Sequence, residues 1–107
     1  QFSEDFAGLR DKLVLELLYG IGIRLSELIG LKESDVNAYN RQITVLGKRN
    51  KHRIVPLTPA LFALLDTYRQ RKQAEFPAQA EAATYLIVSD KGVAAYPVLI
   101  QRIVKRY

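Results

Sequence analysis

Two short segments rich in β-branched residues, Gln42-Ile-Thr-Val-Leu46 and His52-Arg-Ile-Val55, flank the polar stretch GKRNK at 47–51. Two such runs joined by a glycine-containing turn predict a β-hairpin. Pro56 closes the second run. The apolar surface of a sheet this small has to be covered, and the rest of the chain reads mainly as helices able to cover it.

Residues 3 to 19 predict the first helix. Phe6, Leu9, Leu13 and Leu17 recur at spacings of three and four, and Val14 and Leu18 widen the stripe. Ser3 is a candidate N-cap, with Glu4 and Asp5 in the first turn. Gly20 and Gly22 interrupt the helix, and a short one follows from about Leu25 to Ile29, stopped by Gly30. Lys32 to Asn40 is polar and turn-like. Thr58 followed by Pro59 marks a helix start, with Leu61, Leu64, Leu65 and Tyr68 carrying an apolar stripe to about Lys72. Residues 73 to 83 read as a linker or weak helix. Tyr85-Leu-Ile-Val88 reads as a short strand, Asp90 to Gly92 as a turn, and Pro97 opens a last helix still in progress at Tyr107. The fold class is therefore α+β: a small antiparallel sheet with a β-hairpin, flanked by helices.

The chain of 107 residues fits one small domain with 49% hydrophobic and 25% charged residues, a globular composition. It contains no Cys and one His, so disulfides and thiolate metal sites are excluded and no zinc site is expected. No apolar run approaches the roughly 20 residues that a membrane span needs. The formal net charge of +5 points toward a polyanion, nucleic acid above all.

Two places concentrate that charge in a chemically suggestive way. The first is GIGIRLSELIGL at 20–31, where Arg24 and Glu27 interrupt an apolar run at a spacing of three. One reading is a local ion pair that orients a helix end. The other is a phosphate-binding guanidinium, approached over flexible glycines, with the Glu27 carboxylate behind it fixing its fork. The second place is GKRNKHR at 47–53, which carries Lys48, Arg49, Lys51 and Arg53 without any acid. It is either a solvated hairpin tip that resists edge pairing or a patch that grips a phosphate backbone. A lysine beside the turn glycine is also placed to act as a proton donor. Arg102, Lys105 and Arg106 on the last helix read first as a solvated face and second as a DNA contact. Of the six tyrosines, Tyr68 and Tyr85 read as core, and none has an adjacent base that would mark it as a nucleophile.

LLYGIGIRLSELIGLKESDV, followed by ITVLGKRNKHRIVPLTP, resembles the tyrosine recombinases, the phage-integrase and Xer-like group. An arginine in a G-x-R-x-S/A-E-L segment precedes a hairpin lysine in a G-K-x-x-K-x-R-x-V-P-L segment, here 24 positions apart at Arg24 and Lys48. The resemblance runs from about Phe6 to Tyr107. It implies a site-specific DNA recombinase or integrase that cleaves one strand through a 3′-phosphotyrosyl intermediate and rejoins it without ATP, metal or other cofactor. It implies that Arg24 binds the scissile phosphate, that Glu27 supports the site and that Lys48 protonates the leaving 5′-oxygen, with Arg49, Lys51 and Arg53 as DNA-binding residues. The implied partners are double-stranded DNA and other recombinase protomers, four on paired sites, in a cytoplasmic setting with no membrane.

The family's H-x-x-R segment and nucleophilic tyrosine match nothing here. His52 lies in the hairpin, and Tyr107 closes a helix ahead of the segment where the nucleophile belongs. Residues 1–107 are thus expected to be the first part of a catalytic domain, without the N-terminal core-binding domain or the C-terminal H-x-x-R and tyrosine segment, and to be inactive alone. The alternative is a non-catalytic basic DNA-binding module. A piece of this kind is also expected to expose apolar surface and self-associate.

Overall fold

The computed structural model describes residues 2–107. Helix α1 spans Phe6–Leu15. Its N-cap is Asp5 rather than Ser3: Asp5 Oδ1 accepts the Gly8 N–H at 2.9 Å, and the Ser3 hydroxyl donates to the same oxygen at 2.5 Å. A carboxylate is the better ligand for the positive end of a helix, and the serine completes it. The preceding chain folds back so closely that a Cβ on Gly8 would stand 1.9 Å from the Ser3 carbonyl oxygen, which is why a glycine sits inside the first turn.

Beyond Leu15 the helix does not run on regularly to residue 19. Glu16–Gly20 widens into a π-turn, closed by the Ile21 N–H on the Glu16 carbonyl at 3.1 Å. Gly22, at φ 73°, then turns the chain into helix α2, Leu25–Gly30. A 3₁₀ turn at Glu33–Asp35 leads to the sheet.

The sheet has three antiparallel strands in the order β1 (Val36–Asn37), β2 (Gln42–Leu46) and β3 (His52–Pro56). The hairpin forms as its sequence predicts, pairing Ile43 with Val55 and Val45 with Arg53. Ile43 and Val45 are fully buried, so one face of β2 joins the core. Strand β1 lies within the polar stretch expected to be only turn. It pairs Val36 with Ile43 and Asn37 with Gln42.

Helix α3 spans Pro59–Glu75, capped by the Thr58 hydroxyl accepting from Leu61 N–H at 3.1 Å. It continues one turn past Lys72, and helix α4, Ala80–Thr84, follows. The strand expected at 85–88 is not one. Leu86, Ile87 and Val88 are buried, but the chain bends at 86 and 87 and their backbone partners are scattered. Leu86 N–H donates to Leu31 at 3.0 Å, Ile87 carbonyl accepts from Ala95 at 3.0 Å, and Val88 N–H donates to the Tyr68 hydroxyl at 3.2 Å. No ladder forms, although the side-chain pattern is that of a buried strand. Helix α5 spans Pro97–Arg106 and buries Leu99, Ile100 and Ile103. Arg106 is not merely solvated: its guanidinium reaches the buried Asp11 at 3.1 Å, and the Tyr107 hydroxyl donates to the same carboxylate at 2.8 Å.

Tyr68 is the polar pin of this core. It stacks on Phe6 with ring centroids 5.4 Å apart, and its hydroxyl donates to the Leu86 carbonyl at 2.7 Å while accepting from Val88. Burial pushes its phenol well above the ordinary tyrosine range, so it stays neutral and keeps both bonds. Tyr68→Phe leaves the buried Val88 N–H without an acceptor and is expected to destabilise the fold by about 1–3 kcal/mol in urea denaturation. Tyr39→Phe, at a side chain 95% exposed, is expected to leave the midpoint unchanged.

Candidate nucleic-acid interface

Arg24 is the N-cap of α2, in extended backbone at φ −83° and ψ 157°. Its side chain is exposed, and among the described residues no hydrogen bond or ion pair engages its guanidinium. The pairing expected between the Arg24 and Glu27 side chains does not form. Instead Glu27 Oε1 accepts the backbone N–H of Arg24 at 2.8 Å, the cap-ward half of a capping box. The spacing of three thus serves the backbone of Arg24 and leaves its fork open to solvent.

The Glu27 carboxylate is otherwise committed to the hairpin. Its side chain is only 4% exposed, and Arg53 from β3 meets it with a two-pronged pair, Nη1 to Oε2 at 2.6 Å and Nη2 to Oε1 at 3.1 Å. The Arg53 fork, helped by the Arg24 N–H and opposed by burial, holds the Glu27 carboxyl below the ordinary carboxylate range. Glu27 in turn raises the already high pKa of Arg53. The guanidinium that the sequence assigned to DNA therefore has a protein partner, which the absence of any acid in GKRNKHR did not reveal.

The turn above Glu27 is tightly specified. Gly47 N–H donates to the Lys51 carbonyl at 2.8 Å and Lys51 N–H to the Lys48 carbonyl at 3.2 Å. Arg49 and Asn50 both take positive φ, 59° and 58°, which costs non-glycine residues about 1 kcal/mol or more each. A Cβ on Gly47 would lie 3.3 Å from Glu27 Oε2, so the carboxylate packs against the backbone immediately before Lys48. Lys48, Arg49 and Lys51 are exposed, and among the described residues none has a hydrogen-bonded or ionic side-chain partner. His52 projects from the outer face of β3, away from Glu27. The result is one buried acid beneath a cluster of five cations, two of which, Arg24 and Lys48, are carried by backbone that flanks it.

Among the described residues no tyrosine joins this cluster through a hydrogen bond. Tyr68 is buried on Leu86 and Val88, and Tyr107 is bonded to Asp11. Among the described residues no group of three His, Cys, Asp or Glu side chains could hold a metal ion, and no helix is long and apolar enough to cross a membrane.

Comparison with known proteins gives this arrangement a context. The model of the phage integrase family matches residues 1–107. The chain is 42% identical over 105 residues to the tyrosine recombinase XerC of Chlorobaculum parvum, covering 95% of this chain and 31% of that protein. It is 41% identical over 86 residues to the tyrosine recombinase XerC of Staphylococcus aureus, covering 80% of this chain and 28% of that protein. It therefore spans less than a third of the length of these relatives. Solved structures share the fold, two of them as follows. The XerH site-specific recombinase bound to palindromic difH substrate, in a post-cleavage complex, aligns with a TM-score of 0.72 at 23% identity, over 99% of this chain and 30% of that one. The XerA recombinase aligns with a TM-score of 0.67 at 26% identity, over 97% and 40%.

The lowered pKa of Glu27 fixes the sign of a pH effect. A carboxyl depressed in the folded state contributes stability above its unfolded pKa, near 4.5, and that contribution disappears as pH falls through the folded value. Glu27→Gln is expected to lower the unfolding midpoint at pH 7, and the deficit against the parent is expected to shrink as pH falls below 4.5. A deficit independent of pH, followed by thermal denaturation, would show that the carboxylate charge is not the source.

Proposed function

The chain belongs to the phage integrase family, among its Xer-like tyrosine recombinases, and on that premise we propose that it forms part of the catalytic domain of a site-specific DNA recombinase. The parent protein cleaves and rejoins double-stranded DNA through a 3′-phosphotyrosyl intermediate, in the cytoplasm, as one of four protomers on paired sites. One observation carries the reading. A single buried carboxylate, Glu27, joins the backbone of Arg24 to the hairpin just before Lys48, while both cationic heads stay exposed. An exposed guanidinium and ammonium held to one support suit a phosphodiester: the fork binds non-bridging oxygens, and the ammonium stands ready to give up a proton.

In the proposed reaction a tyrosine hydroxyl, supplied by a segment of the parent other than these residues, attacks the scissile phosphorus and gives up its proton to a base or water of the assembled parent. The new P–O(Tyr) bond forms as the P–O5′ bond breaks. Arg24 stabilises the charge gathered on the non-bridging oxygens, and Lys48 delivers a proton to O5′, which leaves as a hydroxyl. The phosphodiester energy is kept in the protein link, so attack by a 5′-hydroxyl rejoins the strand with no added energy source. Arg49 and Lys51, exposed at the same turn, grip the neighbouring backbone. The tyrosine placements support an external nucleophile, so these residues alone are inactive.

In the full-length parent, Arg24→Ala is expected to lower covalent product on a nicked suicide substrate by about 10²- to 10³-fold. An unaffected rate would end the assignment, and salt-sensitive binding with no covalent product from the parent would favour a DNA-binding module. Lys51→Ala is expected to reduce the slope of log affinity against log salt by about one, read by fluorescence anisotropy.

A further inference from the structure

Arg53 has an orientation that a DNA-contacting role does not explain. β3 places His52, Ile54 and Pro56 on one side and Arg53 and Val55 on the other. The second side faces the core, because Arg53 stands opposite Val45 and Val55 opposite Ile43, both fully buried. A guanidinium on that face is placed to pair with a buried carboxylate. It has one in Glu27, which also holds the Arg24 N–H and packs against Gly47 next to Lys48. The Arg53 side chain is still 49% exposed, so DNA could reach its outer edge. However, both terminal nitrogens already point at Glu27, and a phosphate would compete with that carboxylate for them.

We propose that Arg53 is a positioning residue for strand cleavage: through Glu27 it fixes where the Lys48 turn stands relative to Arg24, and this, not a phosphate contact, is its contribution. The inference rests on the roles proposed above for Arg24 and Lys48. Its force is geometric. A lysine that delivers a proton to O5′ must lie within hydrogen-bond reach of it, and a misplacement of about 1 Å can cost on the order of 100-fold in rate.

The test uses the full-length recombinase with a suicide DNA substrate, measuring DNA affinity and the single-turnover cleavage rate of bound complexes separately. Arg53→Lys keeps the charge and removes the fork. It is expected to leave affinity and its salt dependence within about 2-fold and to slow cleavage of bound DNA about 10- to 100-fold. Glu27→Gln is expected to do the same, and the double variant is expected to be no slower than the worse single one. A substrate with sulfur in place of the bridging O5′ leaves as a thiolate that needs no proton. It is expected to restore cleavage in Lys48→Met and in Arg53→Lys alike, a rescue that a general loss of stability would not show. If Arg53→Lys does not fold, Glu27→Asp supplies the same readouts, since it withdraws the carboxylate by one methylene. Weaker, less salt-dependent binding with normal cleavage of bound DNA would make Arg53 a phosphate contact and overturn the proposal. So would additive effects of the two variants, or cleavage that sulfur restores in Lys48→Met but not in Arg53→Lys. A parent that does not cleave, or a Lys48→Met variant that cleaves normally, would instead remove the functional reading on which the proposal stands.

Discussion

The Glu27 carboxylate is the point on which helix α2 and the hairpin converge. It is buried, and a buried carboxylate needs donors enough to replace water. It finds three: two from the Arg53 fork and one from the Arg24 backbone. Those donors come from a helix end and from a strand 26 positions further along the chain, so satisfying one acid fixes α2 against the hairpin. The cations left over, Arg24 and Lys48 in particular, owe their placement to a bond in which their own side chains take no part.

The same logic holds the far side of the domain. The irregular segment at 86–88 has no ladder, so side chains supplement its few main-chain bonds: the Tyr68 hydroxyl takes Val88 N–H and gives to Leu86 O, and Lys72 Nζ gives to the carbonyls of Tyr85 and Leu86 at 2.7 and 3.2 Å. Lys72 is buried, which lowers its pKa, and Glu33 at 2.5 Å works against that shift to keep it charged. Arg10 and Asp11 form a second buried knot that reaches Asp90, Arg106 and Tyr107. Among the described residues no buried side-chain polar atom lacks a partner. These knots tie α1, α3 and α5 to loops that hydrophobic contact alone would leave less defined.

Local chemistry made much of this legible in advance. The hairpin, the Thr58–Pro59 helix start and the turn at Gly92 each depend on residues adjacent in sequence, and each formed where the residues predicted it. What escaped the sequence depended on distant partners. Strand β1 has two residues, too few for a period-two pattern. Tyr85 to Val88 carries the composition of a strand but lacks a neighbouring strand. The π-turn leaves the apolar stripe of α1 intact and so is invisible to periodicity. At the candidate site the residues were found but their pairing was not. A spacing of three suggested that Glu27 held the Arg24 side chain, whereas the stronger claim came from Arg53. The clue was the alternation along β3, which puts Arg53 in phase with Val55.

The hairpin tip carries a consequence of its own. Arg49 and Asn50 occupy left-handed backbone without the help of glycine, and two hydrogen bonds close the turn around them. Conformational freedom at this loop is thus surrendered when the domain folds, before any association. A partner docking there meets basic side chains on a preformed arch, and the entropy lost on association falls mainly on side-chain rotamers, not on the main chain.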